Sequence, residues 1–247
     1  MAKIRLDQLL VDRGLVESRS RAQALVMAGL VFSKERKLEK AGQQVADDIA
    51  LEVRGQDHPW VSRGGLKLAH ALQHFGIGPD GYVCIDVGAS TGGFTDVLLQ
   101  HGAARVYAVD VGHGQLAWKL RSDDRVVVLE KTNARYLSSE HVAEPADIVV
   151  CDASFIGLRT VLPAALALTK KDARLVALIK PQFEAGREHV GKGGVVRDPD
   201  VHARVCEDIR QWIEGAENWT VEGIVESPIT GPEGNVEFLI SAVKREP

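Results

Sequence analysis

The sequence predicts an α/β protein in which a mostly parallel sheet is flanked by helices and ends in an antiparallel edge hairpin. From Tyr82 onward, short apolar runs typical of buried strands alternate with helical segments, which is the pattern of a parallel sheet covered on both faces. The last two strand-like runs, 219–226 and 236–243, have no helix between them, so we expect an antiparallel pair at one edge. A basic N-terminal stretch with its own pattern predicts a smaller α+β domain.

The first 57 residues are predicted to form that smaller domain. Its first helix ends at Gly14, and its second is capped by Ser18 and ends at Gly29. Short strand-like runs follow. Residues 1–40 contain nine Lys and Arg against five Asp and Glu, although the whole chain has a net charge of -4. On charge alone, this basic surface is equally consistent with RNA binding and with an ordinary solvated face.

Composition limits the other classes of function. The 247 residues are 45% hydrophobic and 26% charged, as in a globular protein with a sizeable core. The three cysteines are scattered, which predicts neither disulfides nor a metal site and favours a reducing cytoplasm. We find no signal-peptide core and no stretch long enough to cross a membrane.

The larger domain is predicted to span 62–247, after a short linker at 58–61. Its first helix is expected to be capped by Ser62 and to carry an apolar stripe. The stripe consists of Leu66, Ala69, Leu72 and Phe75. Lys67 falls off this stripe, so by itself it is expected to be a surface lysine.

Further along the chain, strands are predicted at 82–85, 105–110, 125–130, 147–152 and 173–180. Residues 158–168 are expected to form one helix with a kink at Pro163. The stretch 181–199 has no periodic pattern and directly follows a strand end, so we interpret it as a substrate loop.

A glycine-rich stretch from Asp86 to Phe94 joins the first of these strands to the following helix. A helix N-terminus offers free N–H groups, and glycines allow a ligand to approach the backbone closely. The spacing from Gly88 to Gly92 differs from that of the dinucleotide fingerprint, and no Gly-Lys-Ser/Thr of a P-loop follows. The stretch therefore predicts a nucleotide-like ligand of another kind.

Four charged residues each lie at the end of a predicted element: Lys67, Asp152, Lys180 and Glu237. Taken singly, each is best explained as a surface charge or an ion-pair partner. The ends of parallel strands meet at one edge of a sheet, so several of them are expected to lie close together.

The glycine-rich stretch resembles motif I of class I S-adenosylmethionine-dependent methyltransferases, which have a Rossmann-like sheet. The resemblance implies S-adenosylmethionine as cofactor, with Asp110 at the ribose hydroxyls and Asn133 near the adenine. The predicted cofactor residues are Asp86, Gly88, Ala89, Ser90, Gly92, Gly93, Phe94, Asp110, Asn133 and Asp152.

The four charged residues resemble, in order, the Lys-Asp-Lys-Glu tetrad of FtsJ/RrmJ-like ribose 2′-O-methyltransferases. That resemblance implies Lys180 as general base, Asp152 as its orienting partner, and Lys67 and Glu237 as groups that position the ribose. The N-terminal domain resembles the αL-type RNA-binding domain named after a small-subunit ribosomal protein. It implies contacts to RNA phosphates, and the predicted RNA-binding residues are Lys3, Arg5, Arg19, Arg21, Lys34 and Arg63.

The chain as a whole resembles the TlyA family over nearly its full length. The motifs that carry this resemblance are 58–61, 62–67, 86–94 and 180–184. It implies 2′-O-methylation of cytidine in ribosomal RNA, with ribosomal RNA or a ribosomal subunit as partner. The short N-terminus resembles the type confined to large-subunit RNA. The alternatives are a catalytically inactive RNA-binding factor and a haemolysin, a historical label in this family.

Overall fold

The computed structural model describes residues 3–16, 18–54, 58–216, 218–231 and 233–245. The chain forms two compact units, Met1–Pro59 and Trp60–Pro247. The predicted end of the first domain, residue 57, lies outside the described residues. The predicted bounds 1–57, 58–61 and 62–247 stay predictions.

The smaller unit combines two helices with short antiparallel strands. Its elements are β1 (Lys3–Arg5), α1 (Leu6–Asp12), α2 (Arg19–Met27), β2 (Val31–Ser33), β3 (Arg36–Lys37), β4 (Gln44–Ala46) and β5 (Glu52–Val53). β1 pairs with β4, and β2 lies between β3 and β5. Leu6, Leu10 and Val26 from the helices form the centre of its core with at most 1% exposure.

Both helices of the smaller unit end as the glycines predict. Gly14 and Gly29 have φ of 66° and 73°, a left-handed conformation that glycine adopts without a Cβ clash. In each case the glycine N–H and the next N–H bond back into the last helical turn, as in a Schellman motif. Ser18 caps α2 and accepts a bond from the Arg21 N–H at 3.2 Å.

The larger unit has a seven-stranded sheet covered by helices. Its strands are β6 (Val83–Val87), β7 (Arg105–Val109), β8 (Val126–Leu129), β9 (Ala146–Cys151), β10 (Thr169–Ile179), β11 (Trp219–Glu226) and β12 (Phe238–Lys244). Its helices are α3 (Gly64–Phe75), α4 (Gly93–Gln100), α5 (Trp118–Arg121), α6 (Leu158–Val161), α7 (Pro163–Ala167), α8 (Pro181–Glu184) and α9 (Pro199–Glu214).

The sheet order is β11-β12-β10-β9-β6-β7-β8. The pairs β10–β9, β9–β6, β6–β7 and β7–β8 are parallel, whereas β12 is antiparallel to both β10 and β11. This arrangement confirms the predicted α/β class and the antiparallel edge hairpin.

Both faces of the sheet are buried, which explains why its strands are continuously apolar. Successive residues of β6 point to opposite sides: Ile85 packs in the cluster that includes Ile209 of α9, and Cys84 in the cluster that includes Leu68 of α3. Each strand therefore contributes side chains to two cores, the expected result for a parallel sheet between helical layers.

Two predictions of local structure are wrong. The helix predicted at 158–168 is two separate helices, α6 and α7, with Pro163 as the first residue of the second. Proline lacks the N–H that a continuous helix needs, so it begins a new helix instead of kinking one. The predicted loop at 181–199 contains α8 and a 3₁₀ turn at Arg187–His189, which are too short to give a periodic pattern.

The orientation of α3 also differs from its prediction. Its buried side consists of Gly65, Lys67, Leu68, Ala71 and Leu72, a face rotated from the predicted stripe. Ser62 does not cap it, because α3 follows Arg63 without a side-chain cap bond. The Ser62 hydroxyl faces Gly93 instead, where an added Cβ would clash with it.

Candidate active site

Several predicted site residues lie at the carboxyl edge of the parallel strands. Asp110, Asp152 and Lys180 directly follow β7, β9 and β10. Glu237 immediately precedes the antiparallel strand β12, whose Phe238 pairs with Ile179 at the end of β10. Opposite strand direction therefore brings Glu237 to the same edge, although it lies at the start of its strand.

The four charged residues form one connected chain of ion pairs. Lys67 Nζ lies 2.6 Å from Glu237 Oε2 and 3.5 Å from Asp152 Oδ2. Lys180 Nζ lies 2.6 Å from Asp152 Oδ1. The exposed fractions of the side chains are 8% for Lys67, 2% for Glu237, 19% for Asp152 and 7% for Lys180. Lys67 is thus buried, which corrects its prediction as a surface lysine.

Lys180 Nζ has two hydrogen-bond acceptors in addition to its ion pair with Asp152 Oδ1. It donates to the Ser154 hydroxyl at 3.0 Å and to the Asp152 carbonyl at 3.3 Å. Ser154 was not predicted as a site residue, although it lies only two residues after the predicted Asp152.

The glycine-rich turn requires backbone conformations with positive φ, which residues other than glycine rarely adopt. Gly88 and Gly92 have φ of 84° and 99°. A Cβ on Gly88 would lie 2.9 Å from Ala153 Cα, so only glycine lets β6 and the segment after β9 approach this closely. Ser90, between them, also has a positive φ of 49°. Helix α4 begins directly after this turn at Gly93.

Asp86 is fully buried beneath the turn. It accepts a hydrogen bond from the Thr95 hydroxyl at 2.6 Å through Oδ2, and its Oδ1 has no hydrogen-bond partner among the described residues. Burial, which disfavours the ionised form, raises the pKa of Asp86 to about 7. Asp86 therefore braces the turn from below and does not face a cavity.

Asp110 holds the backbone at the other side of the turn. Its Oδ2 accepts from the Ser90 N–H at 2.8 Å, and its Oδ1 accepts from the Gly112 N–H at 2.6 Å. A carboxylate can accept further hydrogen bonds at each oxygen, so these contacts leave capacity for ligand hydroxyls.

A cavity of about 480 Å³ opens between these strand ends, a volume in the range of small-molecule sites. Five predicted cofactor residues line it: Gly88, Ser90, Asp110, Asn133 and Asp152. The other five lie outside its lining: Asp86, Ala89, Gly92, Gly93 and Phe94. Of these, Ala89 and Phe94 are buried in the apolar core beside α3.

Phe155 is an exposed aromatic ring at the rim of this cavity. It is 91% exposed and has a φ of 64°, although phenylalanine normally disfavours positive φ. Its ring centroid lies 5.3 Å from that of Phe183. Strained backbone and an exposed ring beside a cavity are the features of a ligand contact. Phe155 was not predicted as a site residue, because an isolated aromatic residue gives no periodic pattern in the sequence.

The predicted RNA-binding residues are divided between the two units. In the smaller unit, Lys3 and Lys34 are exposed, and Arg5 and Arg19 pair with Asp7 at 2.8 and 3.1 Å. Arg21, also in the smaller unit, lies 3.3 Å from the His58 ring nitrogen. Arg63 belongs to the larger unit, where it donates to the Thr230 carbonyl at 2.8 Å.

Among the residues that the structure describes, no cluster of three or more His, Cys, Asp or Glu side chains is arranged to hold a metal ion. Within the same residues, no helix combines the length and apolar character needed to cross a membrane.

Comparison with known families matches both units. The FtsJ-like methyltransferase family matches residues 60–244, and the S4 domain family matches residues 4–54. YqxC of Bacillus subtilis, described as a candidate rRNA methyltransferase, is 50% identical over 96% of this chain and 85% of its own length.

Two other similar proteins cover most of the chain. One is TlyA of Mycobacterium tuberculosis, named a 16S/23S rRNA (cytidine-2'-O)-methyltransferase. It is 48% identical over 96% of this chain and 89% of its own length. The other is a solved structure from Streptococcus thermophilus, described as a candidate hemolysin. It has 43% identity and a TM-score of 0.80, and covers 100% of this chain and 90% of that chain.

Proposed function

The chain belongs to the FtsJ-like methyltransferase family, and from this premise we propose that it methylates the 2′-hydroxyl of a cytidine ribose in ribosomal RNA. The observation that carries the proposal is the buried chain of ion pairs Glu237–Lys67–Asp152–Lys180, which reaches the cavity through Asp152. A ribose hydroxyl is a weak acid, so a methyltransferase for it needs a positioned proton acceptor beside the cofactor.

S-adenosylmethionine is the cofactor that this cavity fits. Asp110 would accept hydrogen bonds from its ribose hydroxyls, and Asn133 would lie beside the adenine. Gly88, which has no side chain, contributes only backbone atoms to the cavity lining. When bound, the cofactor supplies a methyl group that bonds to the ribose oxygen while its bond to sulfur breaks.

Lys180 is the proposed acceptor of the hydroxyl proton. A lysine can act as a base when it enters the reaction neutral, and it becomes an ammonium as the proton arrives. The acceptors around Nζ are the Asp152 carboxylate, the Asp152 carbonyl and the Ser154 hydroxyl, and they already stand where that ammonium needs them. These acceptors would stabilise the ammonium that Lys180 becomes during proton transfer. An interaction accelerates a reaction when it is stronger in the transition state than in the ground state.

Lys67 and Glu237 are proposed to position the ribose. The pair is held at 2.6 Å inside the protein, so neither side chain has freedom to turn away. A fixed ammonium beside the reacting oxygen would stabilise the negative charge that develops on it.

Ribosomal RNA is the proposed partner, either free or in a subunit, and the compartment is therefore the cytoplasm. The exposed ring of Phe155 would stack on the target base once that base leaves its helix, since exposed aromatic rings bind unstacked bases. Lys3, Arg5, Arg19, Arg21, Lys34 and Arg63 are proposed to contact phosphates. Within ribosomal RNA we propose the large-subunit molecule as the main substrate.

The test is methyl transfer by the Lys180→Ala variant. Unmodified ribosomal subunits are incubated with labelled S-adenosylmethionine, and the RNA is digested and searched for 2′-O-methylcytidine. We expect label in large-subunit RNA with the native chain and loss of transfer with Lys180→Ala. Cofactor affinity by calorimetry should stay nearly unchanged, because Lys180 is not among the residues that line the cavity.

Lys170→Ala is the matched control. Lys170 is 45% exposed and pairs with Asp147 away from the site, so its loss should leave transfer intact. Normal transfer by Lys180→Ala would refute its role as base. RNA binding without any transfer by the native chain would instead identify an inactive RNA-binding factor, and label in small-subunit RNA would extend the substrate.

A further inference from the structure

A buried carboxylate lies at the centre of the basic surface of the smaller unit. Asp7 has 0% side-chain exposure, whereas Arg5 and Arg19 beside it are 46% and 50% exposed. An ionised carboxylate removed from water is costly unless hydrogen bonds replace its hydration. Asp7 accepts such bonds from Arg5 Nε, Arg5 Nη2, Arg19 Nη2, Gln23 Nε2 and the Gln8 N–H.

The two arginines are held side by side by the same oxygen. Arg5 Nη2 and Arg19 Nη2 lie 2.8 and 3.1 Å from Asp7 Oδ2. Because both nitrogens contact the same oxygen, the two guanidinium groups lie next to each other. Hydrogen bonds, that of Arg5 first, hold the pKa of Asp7 far below its usual value. The carboxylate is therefore ionised at any physiological pH, and the arginines stay in place.

The arrangement leaves positive charge directed outward. Two guanidinium groups share one carboxylate, which leaves a local net charge of one unit. Each guanidinium has five N–H donors, of which Asp7 uses only some, and the two side chains are 46% and 50% exposed. Arg19 is also the first residue of α2, where the positive end of the helix dipole favours an anion.

We propose that Asp7 is a positioning residue that holds Arg5 and Arg19 as a pincer for a single phosphate group of RNA. This inference rests on the proposed function, since it assigns a role within RNA binding by the same chain. Guanidinium groups bind phosphate oxygens in a fixed fork geometry. Two forks fixed in advance lose less conformational freedom on binding than two free side chains do.

The sign of the effect of Asp7→Asn tests the proposal. Asp7→Asn removes a negative charge beside the RNA surface, so electrostatics alone predicts equal or tighter binding. Loss of positioning predicts weaker binding, by about 10-fold for a charged hydrogen-bonded contact. We would measure the affinity of the full chain for transcribed large-subunit RNA at fixed salt, and check folding by circular dichroism.

Asp12→Asn is the matched control, because Asp12 lies on the same helix, is exposed and accepts a hydrogen bond from the Gln8 side chain at 2.7 Å. It removes the same charge and should change affinity by less than about 2-fold, toward tighter binding. If Asp7→Asn binds as tightly as the native chain, Asp7 is a structural ion pair only. If the native chain itself neither binds nor methylates RNA, the proposed function fails instead.

If Asp7→Asn does not fold, a second measurement tests whether Arg5 and Arg19 bind one shared phosphate. The exposed arginines are replaced in the native background as Arg5→Gln, Arg19→Gln and both together. Each phosphate contact contributes about 0.9 to the slope of log affinity against log salt. One shared phosphate predicts that the double variant lowers this slope by about 1, and two separate phosphates predict about 2. A loss of about 2 would overturn the pincer.

Discussion

The substitution Lys67→Met tests the buried ion-pair chain most directly. Methionine has a similar length and no charge, so it leaves Glu237 without its partner at 2.6 Å and with only 2% of its side chain exposed. Removing one member of a buried ion pair costs about 3–5 kcal/mol, because the remaining charge is uncompensated. Asp152 contributes little to this loss, since it keeps Lys180 at 2.6 Å.

We therefore expect the free energy of unfolding of the larger unit to fall by about 3 kcal/mol. For a unit of this size that corresponds to a fall of roughly 6–12 °C in Tm. The double variant Lys67→Met/Glu237→Gln removes both charges and should recover stability to within about 1 kcal/mol of the native chain. Methyl transfer should be lost in both variants, because both lack the Lys67 side chain, even though the double variant regains its stability.

The assays are urea unfolding, thermal unfolding and methyl transfer on the same preparations. Lys170→Met serves as the exposed control, and its loss should stay below about 1 kcal/mol. A loss of less than about 1 kcal/mol for Lys67→Met would refute the buried pair as described. Recovery of transfer in the double variant would refute the proposed role of Lys67 in the reaction.

Two further predictions concern acids of the cofactor region. Burial raises the pKa of Asp86 from 3.8 to about 7, so the unfolded chain binds fewer protons than the folded chain between those values. Stability should therefore fall as pH rises through that window, and Asp86→Asn should flatten the fall in unfolding curves taken from pH 4 to pH 7. Asp110→Ala should weaken cofactor binding by about 10- to 100-fold in calorimetry, because it removes the proposed ribose acceptor. Unchanged affinity would exclude that role.

The sheet and its order of elements followed from the sequence because burial on both faces makes each central strand apolar throughout. The helix ends at Gly14 and Gly29 were equally predictable, since a left-handed residue after a helix is usually glycine and sometimes asparagine. Both features leave short-range patterns in the sequence, apolar runs and helix-end glycines, so they can be predicted without knowing which residues are in contact.

The burial of Lys67 could not be predicted from α3 alone. Four apolar residues at 66, 69, 72 and 75 fit a helical stripe, but only Leu72 of these is among the buried residues of α3, together with Leu68 and Ala71. Which face of a helix is buried depends on its neighbours when apolar residues surround most of it. A lysine beside that face is then buried only because Glu237 and Asp152 supply opposite charge.

Two site residues in the turn after β9 were not predicted from the sequence. Ser154 contacts Lys180, and Phe155 is exposed with φ of 64°, because the chain turns sharply after β9. Such a turn has no glycine or proline to mark it in the sequence. Backbone strain of this kind is maintained by surrounding tertiary structure, which a local pattern does not contain.

Asp152 makes the cavity and the ion-pair chain a single unit. It lines the cavity, and its two oxygens face different lysines, Lys180 at 2.6 Å and Lys67 at 3.5 Å. With Glu237, two lysines and two carboxylates pair in a space from which water is largely excluded. Loss of any one leaves a net charge that the interior tolerates poorly. The proposed proton acceptor, the ribose-positioning pair and the cofactor cavity therefore share this one carboxylate, so a substitution of Asp152 should affect all three.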